Sequence, residues 1–204
     1  MSKIAIEGNA SGTGTFTIAS PNSNSSRTLS LPDGTGTFVV NGINSSIVSG
    51  TAVASTSGTS IDFTSIPSWV KRITVMFNGV STNGSSVKQI QIGDSGGIET
   101  TSYSASSAYF NTSGAFNNIQ ATSGFIINSV TATDAIAGSF IISCLDTTTN
   151  TWSFNGSAAT GNTATALLLS GGAKSLSATL DRVRITTVNG TDTFDAGSIN
   201  ILYE

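Results

Sequence analysis

Apolar and polar side chains alternate along this chain with a period of two, and that period limits its fold more than any other feature. In Lys71-Arg72-Ile73-Thr74-Val75-Met76-Phe77-Asn78, Ile73, Val75 and Phe77 share one pleat face while Arg72, Thr74 and Asn78 share the other. One face is core; the other is wet or at an interface. Runs of this kind recur with turn signals between them and predict strands near 47–54, 59–64, 70–79, 87–93, 98–103, 123–128, 136–146, 150–155, 164–170, 178–188 and 196–203. Asn78-Gly79 and Asn83-Gly84 tolerate positive φ and are expected to turn the chain before the 87–93 strand. Such a series reads as an all-β, jelly-roll-like sandwich. Composition agrees: 34 Ser, 30 Thr and 22 Gly favour strands and turns over helices. So polar a chain can also be disordered, but a 38% hydrophobic content grouped into short Ile/Val/Phe runs argues against that over most of the length.

Three stretches carry local expectations. The run Ile136 to Leu145 places Phe140, Ile142 and Cys144 on one face and Ile141 and Leu145 on the other, which predicts a strand buried on both sides, by subunit contact or by a covering loop. The closing segment 196–204 sets Ile199, Ile201 and Tyr203 inward as a last strand that locks into the sheet. Trp69 and Trp152 are assigned to the core, and Cys144 is read as a buried, inert thiol.

The first 44 residues read differently. GTGTF at Gly12 to Phe16 returns at Gly34 to Phe38, with a Pro/Asn/Ser loop, a short Thr28 to Leu31 alternation and a Pro32-Asp33-Gly34 turn between the copies. Its apolar side chains, from Ile4 and Ile6 to Val39 and Val40, make thin stripes that cannot close a core alone. Sister copies around a threefold axis are the simplest source of burial, so the chain is divided into a β-rich stalk or attachment segment, 1–44, and a head domain, 45–204, assembled as a homotrimer.

Several function classes are disfavoured. A net charge of −3 without blocks of like charge lacks the electrostatic footprint of a nucleic-acid binder. Cys144 is the sole cysteine and histidine is absent, which removes intramolecular disulfides, multi-thiolate zinc sites, imidazole ligands and every His-based triad or dyad. The N-terminus lacks an apolar run of signal-peptide length and no stretch reaches membrane-span length, so synthesis in the cytoplasm without membrane insertion is expected. No cofactor, bound metal or catalytic residue is expected.

Glycoside cleavage by a carboxylate pair is the one enzymatic alternative, with Asp94 and Glu99 flanking the Gly96-Gly97 turn; the bland reading is two solvated loop charges. Gly93 to Gly97 lacks the phosphate-loop pattern and is a turn. Oxygen ligation of Ca²⁺ by Asp94, Asp146 or the Asp192/Asp195 pair is weighed against solvated acids. Lys71 with Arg72 and Arg182 with Arg184 are set against lipopolysaccharide phosphates, the bland alternative being that such charges solvate an outer face or pair across strands. Tyr103, Tyr109, Phe110 and Phe116 lie in a Ser/Ala/Asn/Gly-rich stretch, 102–124, with the weakest strand signal. Aromatic faces beside small amides and hydroxyls suit sugars, so these four form the candidate receptor surface, the alternative being that the rings are sandwich core.

The string GNASGTGTFTIASPNSNSSRTLSLPDGTGTFVV, residues 8–40, resembles a segment common in tail fibre and tail proteins of tailed bacteriophages. Residues 59–86 and the terminal FDAGSINILYE, 194–204, are similar to opening and closing strands of C-terminal domains in phage tail proteins. These matches cover about a third of the chain. The resemblance implies a trimeric virion protein of the tail, attached to other tail or virion proteins through its N-terminal part and binding a bacterial surface glycan at its distal end. A head or tail decoration protein that contacts only virion proteins is the structural alternative. The N-terminal segment is very short for a fibre shaft, which suits a short fibre, a detachable tip or a cap.

Overall fold

The computed structural model describes residues 11–13, 17, 24–26, 47–129, 131–161 and 166–204. The sequence readings of the GTGTF echo, of the 28–31 alternation and of stalk burial therefore lie mostly or wholly outside the described residues. The chain divides into two units, Met1–Phe38 and Val39–Glu204, and every strand among the described residues belongs to the second.

Fourteen strands are present among the described residues, without a helix. They are β1 (Val48–Ser49), β2 (Val53–Ala54), β3 (Ser60–Phe63), β4 (Arg72–Thr82), β5 (Lys88–Asp94), β6 (Gly97–Ile98), β7 (Ser104–Asn111), β8 (Phe116–Ala121), β9 (Phe125–Ile127), β10 (Ala135–Asp146), β11 (Thr151–Gly161), β12 (Ala166–Ser175), β13 (Arg182–Thr187) and β14 (Phe194–Tyr203). Two antiparallel sheets result. The larger runs β1-β14-β4-β10-β11-β12-β7-β8 with β2 also on β14, and the smaller runs β3-β13-β5-β6 with β9 also on β5. The all-β sandwich is as expected. The jelly-roll refinement is not established by this order, which sets nine strands against five.

Alternation explains the core. Ile73, Val75 and Phe77 of β4, Phe140 and Ile142 of β10, and Phe154 of β11 face Ile90 and Ile92 of β5 and Val183 and Ile185 of β13 in one buried cluster. Through it runs an aromatic column. Tyr103 meets Phe125 edge-on at 4.9 Å between centroids, Phe125 stacks on Phe154 at 4.5 Å, Phe154 on Phe140 at 5.6 Å, and Phe77 meets Phe140 edge-on at 5.7 Å.

Some expectations need correction. The chain does not turn at Asn78-Gly79: β4 continues to Thr82, and Gly79-Val80 opposes the single Gly197 of β14 as a bulge. Gly79 and Gly197 sit at φ 66° and 90°, and a Cβ on Gly197 would stand 2.4 Å from the Gly79 carbonyl oxygen. Strand β10 is buried on one face only: Phe140 and Ile142 are buried, but Leu145 is 71% exposed, because a register shift beyond Cys144 carries it out of the ladder. Trp152 is core, whereas Trp69 is 48% exposed and leans on Tyr203 at the sheet margin. Cys144 is half-buried rather than sealed. Tyr203 closes β14, which lies between β4 and the β1/β2 pair, so the last strand is interior to the sheet as expected.

Candidate functional site

The weakest strand signal misled the reading of 102–124. That stretch forms the hairpin β7–β8, which ends the nine-stranded sheet. Ser104, Ser106 and Ser107 carry little strand propensity of their own; β12 supplies a full antiparallel partner from Ala173↔Ser104 to Ala166↔Asn111, and pairing overrides propensity. The tip is fixed by Asn111, whose Oδ1 accepts from the backbone N–H of Ser113 and Ala115.

Alternation along the hairpin separates the four predicted rings. Tyr103 is buried; its hydroxyl donates to the Ile92 and Glu99 carbonyls and accepts from the Ile92 N–H, and burial pushes its pKa up. Its ring packs in the core against Phe125, and the residue also lines a surface depression at that end of the hairpin. Tyr109 is half-buried and its hydroxyl accepts from Asn111 Nδ2 at 2.9 Å. Phe110 and Phe116 are outward, 42% and 60% exposed, with centroids 5.0 Å apart and planes tilted by 47°.

Register extends this pair into a surface. Phe116, Phe110, Leu167, Ala159 and Ala137 form one row across β8, β7, β12, β11 and β10. The next row is Asn118, Ala108, Leu169, Ser157, Ser139 and Met76. Neither row carries a charge. Leu167 and Leu169 are exposed beside the rings, a contribution that sequence reasoning missed although Leu167-Leu168-Leu169 alternates out, in, out. Toward the other end of the hairpin a depression of about 510 Å³ is lined by Ser104, Ser106, Gln120, Thr122, Gly171 and Gly172 among others. Six residues of strand separate Ser104 from Phe110, roughly 20 Å.

The carboxylates take structural roles. Asp94 is buried and accepts from Ser177 Oγ at 2.6 Å and the Gly96 N–H at 2.8 Å, bonds that hold its pKa below the usual carboxylate value. Partial burial works against ionisation of Glu99, yet Lys174 Nζ at 2.5 Å and the Ser177 N–H at 2.7 Å outweigh it and keep Glu99 below its usual value too. Lys174 also lies 5.4 Å from the Tyr103 ring centroid. Asp146 accepts from the Thr148 N–H within its own turn, and Asp192 from the Ser86 N–H and Asn189. Among the described residues no group of three or more acidic, Cys or His side chains is arranged to hold a metal ion. Arg72 pairs with Glu204, Arg182 with Asp181, and Arg184 forks onto Asp62 with two 2.7 Å bonds. Arg184 and Asp62 are directly opposed across β13 and β3, so the cross-strand alternative holds for that pair. No family model, no curated protein and no solved structure matches this chain.

Proposed function

We propose that this chain is a structural subunit of a tailed-bacteriophage virion, a trimeric tail fibre or fibre-tip protein that adheres to a bacterial surface glycan without cleaving it. The observation that carries the reading is the pair of uncharged rows on the outer face of the large sheet, with Phe110 and Phe116 at one end of the hairpin and a Ser/Gln/Thr-lined depression at the other. A sugar offers CH-rich faces to aromatic rings and hydroxyls to small amide and hydroxyl groups. A face roughly 20 Å long spans more than one sugar unit.

The carboxylates support binding over hydrolysis. A glycosidase needs one carboxyl raised in pKa to protonate the leaving oxygen, and both Asp94 and Glu99 are shifted the other way by partners that occupy their oxygens. Weak sites become firm attachment when three copies per fibre act together.

The test is binding of the purified protein, its oligomeric state measured by native mass spectrometry, to envelope polysaccharide and to intact cells of candidate hosts. Phe110→Ser and Phe116→Ser together are expected to weaken retention at least tenfold while leaving the circular dichroism spectrum unchanged. Undiminished retention by that variant, or a monomer in the native spectrum, overturns the adhesion reading or the trimer respectively. A particle map that puts the chain on the capsid favours the decoration alternative.

A further inference from the structure

A glycine inside a strand weakens it, because it loses the most chain entropy on folding and brings no side chain to pack, so each one calls for a reason. Among the described residues, every glycine interior to a strand has one of two reasons, with a single exception. Gly79 and Gly197 hold positive φ, and a Cβ on Gly93, Gly138, Gly156 or Gly172 would stand 2.1 to 2.5 Å from a backbone oxygen. Gly171 has neither reason: its φ is not positive, and the nearest atom a Cβ would meet is the Phe154 carbonyl oxygen, at an ordinary 3.7 Å. Neither turn nor packing requires a glycine here. Strand glycines of this kind mark places where a ligand comes close to the backbone.

Alternation along β12 turns Gly171 outward with exposed Leu167 and Leu169, whereas a Cβ on Gly172 would meet the core ring of Phe125. Register sets Gly171 between Ser106 of β7 and Asn155 of β11, with Gln120 of β8 beyond Ser106. Gly171 lines the depression of about 510 Å³, together with exposed Ser104, Gln120 and Thr122. That volume lies in the range of small-ligand sites, roughly 300 to 1,000 Å³. No charged side chain lines the depression. Lys174, three residues along the same strand, is on the inward face, 4% exposed and held by Glu99. An acidic group seated over Gly171 would lose water without gaining a counter-charge, whereas a sugar hydroxyl finds hydroxyl and amide partners.

Resting on the adhesion reading, we propose that Gly171 is kept free of a side chain to admit one ring of an uncharged sugar, so that this depression selects neutral over acidic glycan. The CH face of the ring lies over the bare β12 backbone, and its hydroxyls meet Ser104, Gln120 and Thr122. A side chain at 171 fills the seat.

Retention of the purified full chain on immobilised glucan, galactan, mannan, polyuronate and host envelope polysaccharide tests this, with Gly171→Ala and Gly171→Val beside the wild type. The wild type should be retained on at least one neutral matrix and pass through polyuronate. Gly171→Val should weaken that retention about tenfold or more and Gly171→Ala less, while Tm stays at or above the wild-type value, because a strand gains from a side chain where space is open. Three results overturn the inference and leave the adhesion reading standing. They are undiminished retention by Gly171→Val, or by Gly171→Ala if the larger variant does not fold; equal retention of the wild type on polyuronate; and a marked fall in Tm for Gly171→Ala, which would make the glycine a packing requirement. A wild-type chain that no matrix retains removes the adhesion reading and this site together.

Discussion

Truncating Phe154 and Phe116 to alanine should separate the core from the outer face more sharply than any other pair of changes. Phe154 is 2% exposed and sandwiched between Phe125 at 4.5 Å and Phe140 at 5.6 Å. A buried Phe→Ala change costs about 3 to 5 kcal/mol, and two lost stacking contacts put this one near the upper end, about 4 to 5 kcal/mol. At roughly 2 to 4 °C per kcal/mol for a domain of this size, Tm should fall by roughly 8 to 20 °C. Phe116 is 60% exposed and, among the aromatic rings of the described residues, meets only Phe110, so Phe116→Ala should change stability by no more than about 0.5 kcal/mol. Urea unfolding and thermal scans on the two variants at matched concentration provide the comparison. Equal losses would mean that Phe116 is covered in the working protein, which would refute both the exposed-face geometry and the sugar site built on it.

Gly197→Ala should lose about 2 kcal/mol or more, since φ is 90° and the new Cβ meets the Gly79 carbonyl at 2.4 Å; Gly79→Ala, at φ 66° with open space around it, should lose about 1 kcal/mol, and thermal scans rank them. The folded pKa of Asp94 is depressed, so its contribution to stability is complete above its unfolded value of about 4 and is lost as pH falls through the lower folded value. Asp94→Asn should therefore flatten the acid limb of a urea-midpoint profile below about pH 4 and leave the neutral dependence alone. A double-mutant cycle on Arg184→Ala and Asp62→Ala should return a coupling of about 0.2 to 1 kcal/mol that shrinks with added salt, because both side chains are 36% exposed; a coupling above that range would show the pair to be shielded.

What the sequence determined by itself was the strand content and its inward set. Ile73, Val75, Phe77, Phe140, Ile142, Ile199 and Ile201 could be assigned to the core from period-two alternation because a pleat sends neighbours to opposite faces whatever sheet they join. Hairpin β7–β8 was invisible for the opposite reason: its serines and asparagines form a strand only because β12 offers a ladder to complete, and no local signal encodes that partner. Tyr103 and Phe110 look alike in sequence, yet odd and even positions on this hairpin face opposite ways, and only the register settles which ring meets Phe125 and which meets solvent. Lys88 was passed over because alternation reads hydrophobic residues, and its burial in line with Ile90 and Ile92 follows from the distant strands that pair with β5 and close the sandwich over it. Local periodicity fixes which way a side chain points along its own strand; what it then faces depends on which distant strands pair, and that is set by the packing of the whole core.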